Sequence, residues 1–357
     1  MSPPAWPPAG TAPPALLFGP LAHHPANGHT KAVGNETVAL LAGRSGAWGE
    51  VHGRMISSGG ALHTSIYAWG PPSTTRETQR QLASLLHQQG LALSVEAGSG
   101  FCGVGSGVQT AANNLGRLAA YFASGGKVRF WQLASSFSRT FVNCPNQTFA
   151  ITVDEAAQYA AAVQKALPGA ALFLYDALPH YAVGTKWPPS KDMRLELGSA
   201  LSQLQKAMAA KGVKLHGYWA DCPFEYSESY PGGDGFKKVA AAAGLVSSMG
   251  LKFVRRNGHV PACSAFASSD RPSVAQGKTF NAAKAGQTSS EAFYAQTLED
   301  FAKTTAVVPS AASSGASLSY AMVASWYLYP TQAAPEGTAH TETNTARAVF
   351  RQVRSGE

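Results

Sequence analysis

Charge is what this chain has least of. Asp, Glu, Lys and Arg make up 13% of its residues, about half the share of an ordinary soluble protein. The only adjacent basic pairs are Lys237-Lys238 and Arg255-Arg256, and no arginine-rich stripe is present to follow a phosphate backbone, which argues against a nucleic-acid partner. No run of 18 or more apolar residues occurs, so no membrane-spanning helix is expected. The opening MSPPAWPPAG has neither the basic start nor the apolar stretch of a signal peptide. The protein is therefore read as intracellular, or as beginning after a removed signal.

Several catalytic signatures are missing as well. H-E-x-x-H, Cys-x-x-Cys, a Walker loop and the G-x-S-x-G elbow are all absent, which removes the usual support for zincin, redox, P-loop and lipase chemistry. Gly103-Val104-Gly105-Ser106-Gly107 approaches a dinucleotide loop but lacks the G-x-G-x-x-G spacing. No cofactor and no metal are assigned. A divalent ion held by Glu96, Asp176 and Asp221 stays open, because barrel loops can unite distant ligands.

What is present is an ordinary 45% of hydrophobic residues, many Ser, Thr, Tyr, Trp and Gly, and a formal charge of +8. Such a composition suits a secreted protein facing sugar-like surfaces, and the positive balance favours an anionic polymer. Residues 1–32 carry Pro3, Pro4, Pro7, Pro8, Pro13, Pro14, Pro20 and Pro25, too many for a helix or central strand. They are read as an extended arm, in which His23, His24 and His29 belong to a solvated loop. Residues 33–60, with VALLAG and EVHGRMI around a Gly-rich turn, are read as a hairpin-like extension.

From residue 61 a unit repeats. Strand Ala61–Tyr67 leads to helix Thr75–Gln88, strand Leu91–Val95 and Glu96. Helix Gln109–Ala123 precedes strand Val128–Leu133, and helix Val153–Leu167 precedes strand Ala171–Tyr175 and Asp176. Helix Met193–Ala210 feeds strand Val213–Trp219, and helix Gly235–Ser248 feeds Leu251–Val254. Gly90, Gly126, Gly169, Gly212 and Gly250 stand where helix C-caps are expected. Helices are then placed at Ser289–Lys303, Ser317–Ser325 and Glu342–Val353, with short strands at Val307-Val308 and Trp326–Tyr329. The rhythm is that of a parallel α/β sheet, and strands near 61, 91, 128, 171, 213, 251, 307 and 326 count to eight. The expected fold is a (β/α)8 barrel over residues 61–357, with a Pro-rich N-terminal extension and long βα loops.

Cys102, Cys144, Cys222 and Cys263 each follow the C-terminal end of a strand. Four cysteines permit three pairings; joining neighbouring strands would pair Cys102 with Cys144 and Cys222 with Cys263, and cysteines so bonded imply an oxidising destination. Asn35-Glu36-Thr37 and Asn146-Gln147-Thr148 have the form of glycosylation triplets.

The stretch His216–Glu225, HGYWADCPFE, is the expected working centre, because strand C-terminal ends carry the chemistry of a barrel. Glu96, Asp176, Asp221 and Glu225 fall on that side. Around them stand Trp69, Trp131, Gln132, Tyr175, His180, Tyr181, Trp187, Tyr218, Trp219, Tyr226 and Tyr230. Aromatic faces beside acids suit a sugar ring, and glycoside hydrolysis needs a proton-donating carboxyl and a second carboxylate. Asp176 is read as nucleophile or base and Glu225 as acid, with Asp221 close behind. Glu96 orients substrate or is itself the acid. Arg255, Arg256, Asn257 and His259 are placed to meet an acidic sugar. Trp326 and Tyr329 form a sugar platform or core, and Glu336 is placed to reach the mouth.

In layout, the chain resembles the broad class of (β/α)8 glycoside hydrolases over about residues 61–355, on the acids and aromatics Trp131-Gln132, Asp176, Asp221 and Glu225. Neither Asn-Glu after the fourth strand nor D-x-x-D-x-D-x-E is present. The resemblance implies a secreted, periplasmic or cell-surface hydrolase, a monomer acting on a neutral or anionic polysaccharide or oligosaccharide. A polysaccharide lyase and a non-catalytic glycan-binding barrel are the alternatives.

Overall fold

Eight parallel strands close into a barrel in the computed structural model. The structure describes residues 15–19, 33–43, 47–66, 69, 74–98, 100–144, 146–178, 181–183, 195–221, 235–257, 289–308, 318–324 and 334–354. The strands are β1 (Ala15–Gly19), β2 (Ala61–Ser65), β3 (Leu93–Ala97), β4 (Val128–Ala134), β5 (Ala171–Ala177), β6 (Tyr181–Ala182), β7 (Leu195–Glu196), β8 (Leu215–Asp221), β9 (Lys252–Asn257) and β10 (Leu318–Ala324). Of these, β6 and β7 form a separate ribbon, while β1 pairs with both β2 and β10 and so closes the ring. The helices are α1 (Val33–Ala42), α2 (Gly49–Ser57), α3 (Arg76–Gln88), α4 (Ser106–Arg117), α5 (Ala119–Ala123), α6 (Ser138–Asn143), α7 (Phe149–Ala166), α8 (Leu197–Ala210), α9 (Gly235–Ser248), α10 (Ser290–Val307) and α11 (Glu342–Arg354). Among the described residues, no helix is long and apolar enough to cross a membrane.

Alternation along each strand divides the core in two. Leu17, Phe130, Phe173, Tyr175, Trp219, Tyr320 and Met322 fill the barrel interior, where Phe130 and Phe173 meet the Tyr320 ring edge-on at 5.2 and 5.7 Å. Leu93, Val95, Trp131, Leu172, Leu174, Tyr218 and Phe253 face the helices. Strands buried on both faces are what a parallel barrel requires. Helices α3, α8 and α9 end as expected, with Gly90, Gly212 and Gly250 at φ of 68°, 72° and 69°. After α5 the positive φ falls on Gly125 instead of Gly126.

The structure corrects the expected ends of the barrel. The first strand, Ala15–Gly19, lies inside the stretch read as an arm; Pro13, Pro14 and Pro20 bound ALLFG without interrupting it, so its ladder N–H groups are intact. Residues 33–60 hold two helices in place of a hairpin, because parallel β1 and β2 need a helical crossover. Val307 closes α10, and the last strand is Leu318–Ala324, where a helix was expected. A short apolar run reads equally as buried helix or buried strand. The proposed strand Trp326–Tyr329 lies outside the described residues, and Gln109–Ala123 is divided at Leu118.

Candidate active site at the barrel mouth

Adjacent strands bring three inward-facing polar residues into register near their C-terminal ends. Ser65 stands beside Glu96, and Glu96 beside Gln132. One step deeper lie His63 and Ser94, also paired. The parity follows from Leu93, Val95 and Ala97, which face the helices and turn Ser94 and Glu96 inward. All five are buried.

Four of them, His63, Ser94, Glu96 and Gln132, form one network. Gln132 Nε2 donates to Ser94 Oγ at 2.8 Å and lies 3.4 Å from His63 Nδ1. Ser94 Oγ is also 3.4 Å from that nitrogen. On the other side of the ring, His63 Nε2 stands 3.8 Å from Glu96 Oε2. Trp219, inward on β8, lies over the imidazole with centroids 5.8 Å apart and planes at 31°, and Tyr175 meets Trp219 edge-on at 6.1 Å. Asp221, two residues beyond Trp219 on the same face, sits half-buried at the rim. Ser65 Oγ, Gln132 Oε1 and Trp219 Nε1 are buried with no hydrogen-bond partner among the described residues.

Other expected site residues are used elsewhere. Asp176 is 1% exposed and its Oδ2 accepts from Phe137 N, Ser138 N and the Tyr181 hydroxyl, each at 3.1 Å. Its Oδ1 accepts from Ala177 N at 2.8 Å. The carboxylate thus holds the start of α6, with its lone pairs occupied. Burial and the neighbouring Asp176 raise the Tyr181 hydroxyl well above the ordinary tyrosine range, so Tyr181 is a fixed donor. Tyr218, read as a substrate contact, donates its hydroxyl to the Asp176 carbonyl at 3.0 Å.

Two expected sugar platforms are core. Trp131 faces α7 and donates its indole N–H to the Tyr159 hydroxyl at 2.8 Å. Trp69 donates to Thr64 Oγ1 at 2.8 Å and meets Tyr121 edge-on. Glu336 accepts from Glu50 N and Val51 N, capping α2. Arg255 and Asn257 take their backbone places in β9 beside Ala321 and Val323. His180, Glu225 and Trp326 lie outside the described residues.

The glycine-rich loop is filled from within. Gly105 N and Gly107 N donate to the two carboxylate oxygens of Glu155 at 2.8 and 2.7 Å, so a side chain stands where a phosphate would. Cys102 and Cys144 are bonded, with Cα atoms 5.8 Å apart, tying the loop after β3 to the end of α6. Cys222 and Cys263 lie outside the described residues. Among the described residues no three His, Cys, Asp or Glu side chains converge as metal ligands would.

His63, Ser65 and Ser94 were not singled out from sequence. Their signal is polar residues in the latter part of a buried strand: the run His63, Thr64 and Ser65 in β2, then Ser94 and Glu96 on either side of Val95 in β3.

No protein-family model matches the chain, and no curated protein matches it. Among solved structures it is similar to a glycoside hydrolase family 10 endoxylanase from a sugarcane soil metagenome, at 9% identity over 83% of this chain and 80% of that one, with a TM-score of 0.45. An intracellular xylanase of Thermoanaerobacterium saccharolyticum in complex with xylotetraose shares 9% identity over 88% and 86% of the two chains, with a TM-score of 0.46. A protein assigned as a phosphonomutase from Burkholderia cenocepacia shares 17% over 68% and 78%, with a TM-score of 0.34. The barrel architecture rests on the strand register itself.

Proposed function

We propose that this chain is a glycan hydrolase acting at the C-terminal mouth of its barrel, with Glu96 as proton donor and Asp221 as the second carboxylate. The observation that carries the reading is the inward polar layer of Ser65, Glu96 and Gln132, next to which Trp219 lies against the His63 ring. The buried Ser65 Oγ, Gln132 Oε1 and Trp219 Nε1 have no hydrogen-bond partner among the described residues. A layer built only for stability satisfies such atoms. One that receives sugar hydroxyls is satisfied on binding.

In this reaction Glu96 gives its proton to the leaving glycosidic oxygen, while Asp221 attacks the anomeric carbon or activates water. Glu225, after β8, is the alternative donor. Asp176, expected as nucleophile, serves instead to hold the loop between β4 and α6. The Cys102–Cys144 bond supports a secreted, periplasmic or surface location, and the charge of +8 favours an anionic polysaccharide or oligosaccharide. The protein acts as a monomer.

The test is release of reducing ends across neutral and anionic polysaccharides. Glu96→Gln and Asp221→Asn each lower the rate by about 10²-fold or more, with unchanged unfolding midpoints. Glycan binding without reducing ends would point to a binding module. An unsaturated product would point to a lyase.

A further inference from the structure

We propose that His63 is a positioning residue for Glu96: locked from behind by Ser94 and Gln132, its Nε2–H faces the carboxyl and sets how Glu96 meets substrate. The inference rests on Glu96 as proton donor.

The ring has a place made for it. A Cβ at Gly19 would stand 3.1 Å from His63 Cδ2 and 2.8 Å from the Ala324 Cβ, so glycine at the end of β1 leaves the room that the imidazole fills. Trp219 covers the ring from the opposite wall. Of the groups that face the ring, Gly19 from β1, Gln132 from β4 and Trp219 from β8 are uncharged, while β3 brings Ser94 and the carboxyl of Glu96.

The hydrogen-bond network assigns the tautomer. An amide nitrogen donates and cannot accept, so Gln132 Nε2, 3.4 Å from Nδ1, requires a bare Nδ1. Ser94 Oγ accepts from the same amide at 2.8 Å, which leaves its own proton for Nδ1. The neutral ring then carries its hydrogen on Nε2, directed at Glu96 Oε2 3.8 Å away. That separation is an ion-pair distance slightly longer than a hydrogen bond, and such contacts tighten when substrate closes a site. A histidine serving only as packing would not need two side chains to fix its far nitrogen while the near one faces an acid.

The first measurement needs no substrate. Two-bond ¹H–¹⁵N correlation on ¹⁵N-histidine-labelled protein reports the tautomer of each ring, and His63→Gln identifies the His63 signal by its loss. The expected result at neutral pH is the Nε2–H form, perturbed by Glu96→Gln. An Nδ1–H form, or a signal indifferent to Glu96→Gln, overturns the proposal. On whichever glycan is cleaved, His63→Ala lowers kcat by about 10²-fold with KM held within about twofold. It also moves the pH-profile limb that reports the acid, and His63→Gln, which restores an N–H, recovers part of the rate. A loss equal at every pH overturns the positioning role while leaving the hydrolase reading intact. If no glycan is cleaved, the hydrolase reading fails and the tautomer experiment still decides the pair. Should His63→Ala not fold, Ser94→Ala removes one of the two Nδ1 partners without touching either member of the pair, and is expected to shift the same pH-profile limb; an unmoved limb overturns the proposal.

Discussion

His216 Nδ1 accepts the backbone N–H of Leu172 at 3.1 Å. The bond sits where the β5–β8 register passes from Leu172–Leu215 to Phe173–Gly217, so His216 is the extra residue of a bulge and its ring replaces a ladder carbonyl. The contact needs an unprotonated Nδ1. Burial first, then the charges of Lys214 and Lys252, push this imidazole down to about 4 from 6.5.

A histidine held below its unfolded value stabilises the fold above the unfolded value, and that contribution disappears as pH falls through the folded one. Stability is therefore expected to be fully present above pH 6.5 and to fall by about 2–3 kcal/mol toward pH 4. Urea midpoints at pH 7, 5.5 and 4 measure this. His216→Gln flattens the dependence across that window, and an unchanged slope in the variant would assign it to other groups.

Asp176→Asn separates loop support from chemistry. It replaces an acceptor of the Phe137 and Ser138 amides and the Tyr181 hydroxyl with a group that is half donor. The expected loss is about 2–3 kcal/mol in unfolding free energy, with activity per folded molecule reduced less than about tenfold. A 10²-fold loss of kcat in stably folded protein would return Asp176 to the reacting pair.

Glu155 is expected to be worth more to the fold than any exposed acid. Glu155→Gln weakens charge-assisted bonds to Gly105 N and Gly107 N, a loss of about 1.5–3 kcal/mol by denaturant titration. Gly107→Ala should be worse, because its Cβ would lie within 2.1 Å of the Glu155 carbonyl oxygen. Soluble yield and urea midpoint test the order of the two variants.

The Cys102–Cys144 bond closes a loop with a sequence separation of 42. Loop-closure entropy alone sets the stabilisation at about 4 kcal/mol. Cys102→Ser with Cys144→Ser should lower Tm accordingly, and should abolish the part of the Tm response to reductant that this bond provides. A Tm matching the untreated wild type would show the bridge to be unformed in solution.

The sequence alone determined the strand–helix alternation between residues 61 and 257, the glycines after α3, α8 and α9, and the pairing of Cys102 with Cys144. Each is local or nearly so: periodicity, a positive φ after a helix, or two loops at one end of neighbouring strands. The closing strands were not legible in that way. ALLFG and LSYAMVA are short apolar runs whose strand identity comes from pairing with each other in β1 and β10, as in Ala15 with Tyr320, from opposite ends of the chain.

The site divides along the same line. That acids and aromatics gather at strand ends was readable from residue order. Which of them face inward was not, because a strand buried on both sides carries large residues on each. Only the register of the closed barrel turns Glu96, Gln132 and Trp219 toward one another with His63 between them, and turns Trp131 and Tyr218 into the helix layer. One residue of slip exchanges the two faces, and that choice belongs to the tertiary structure.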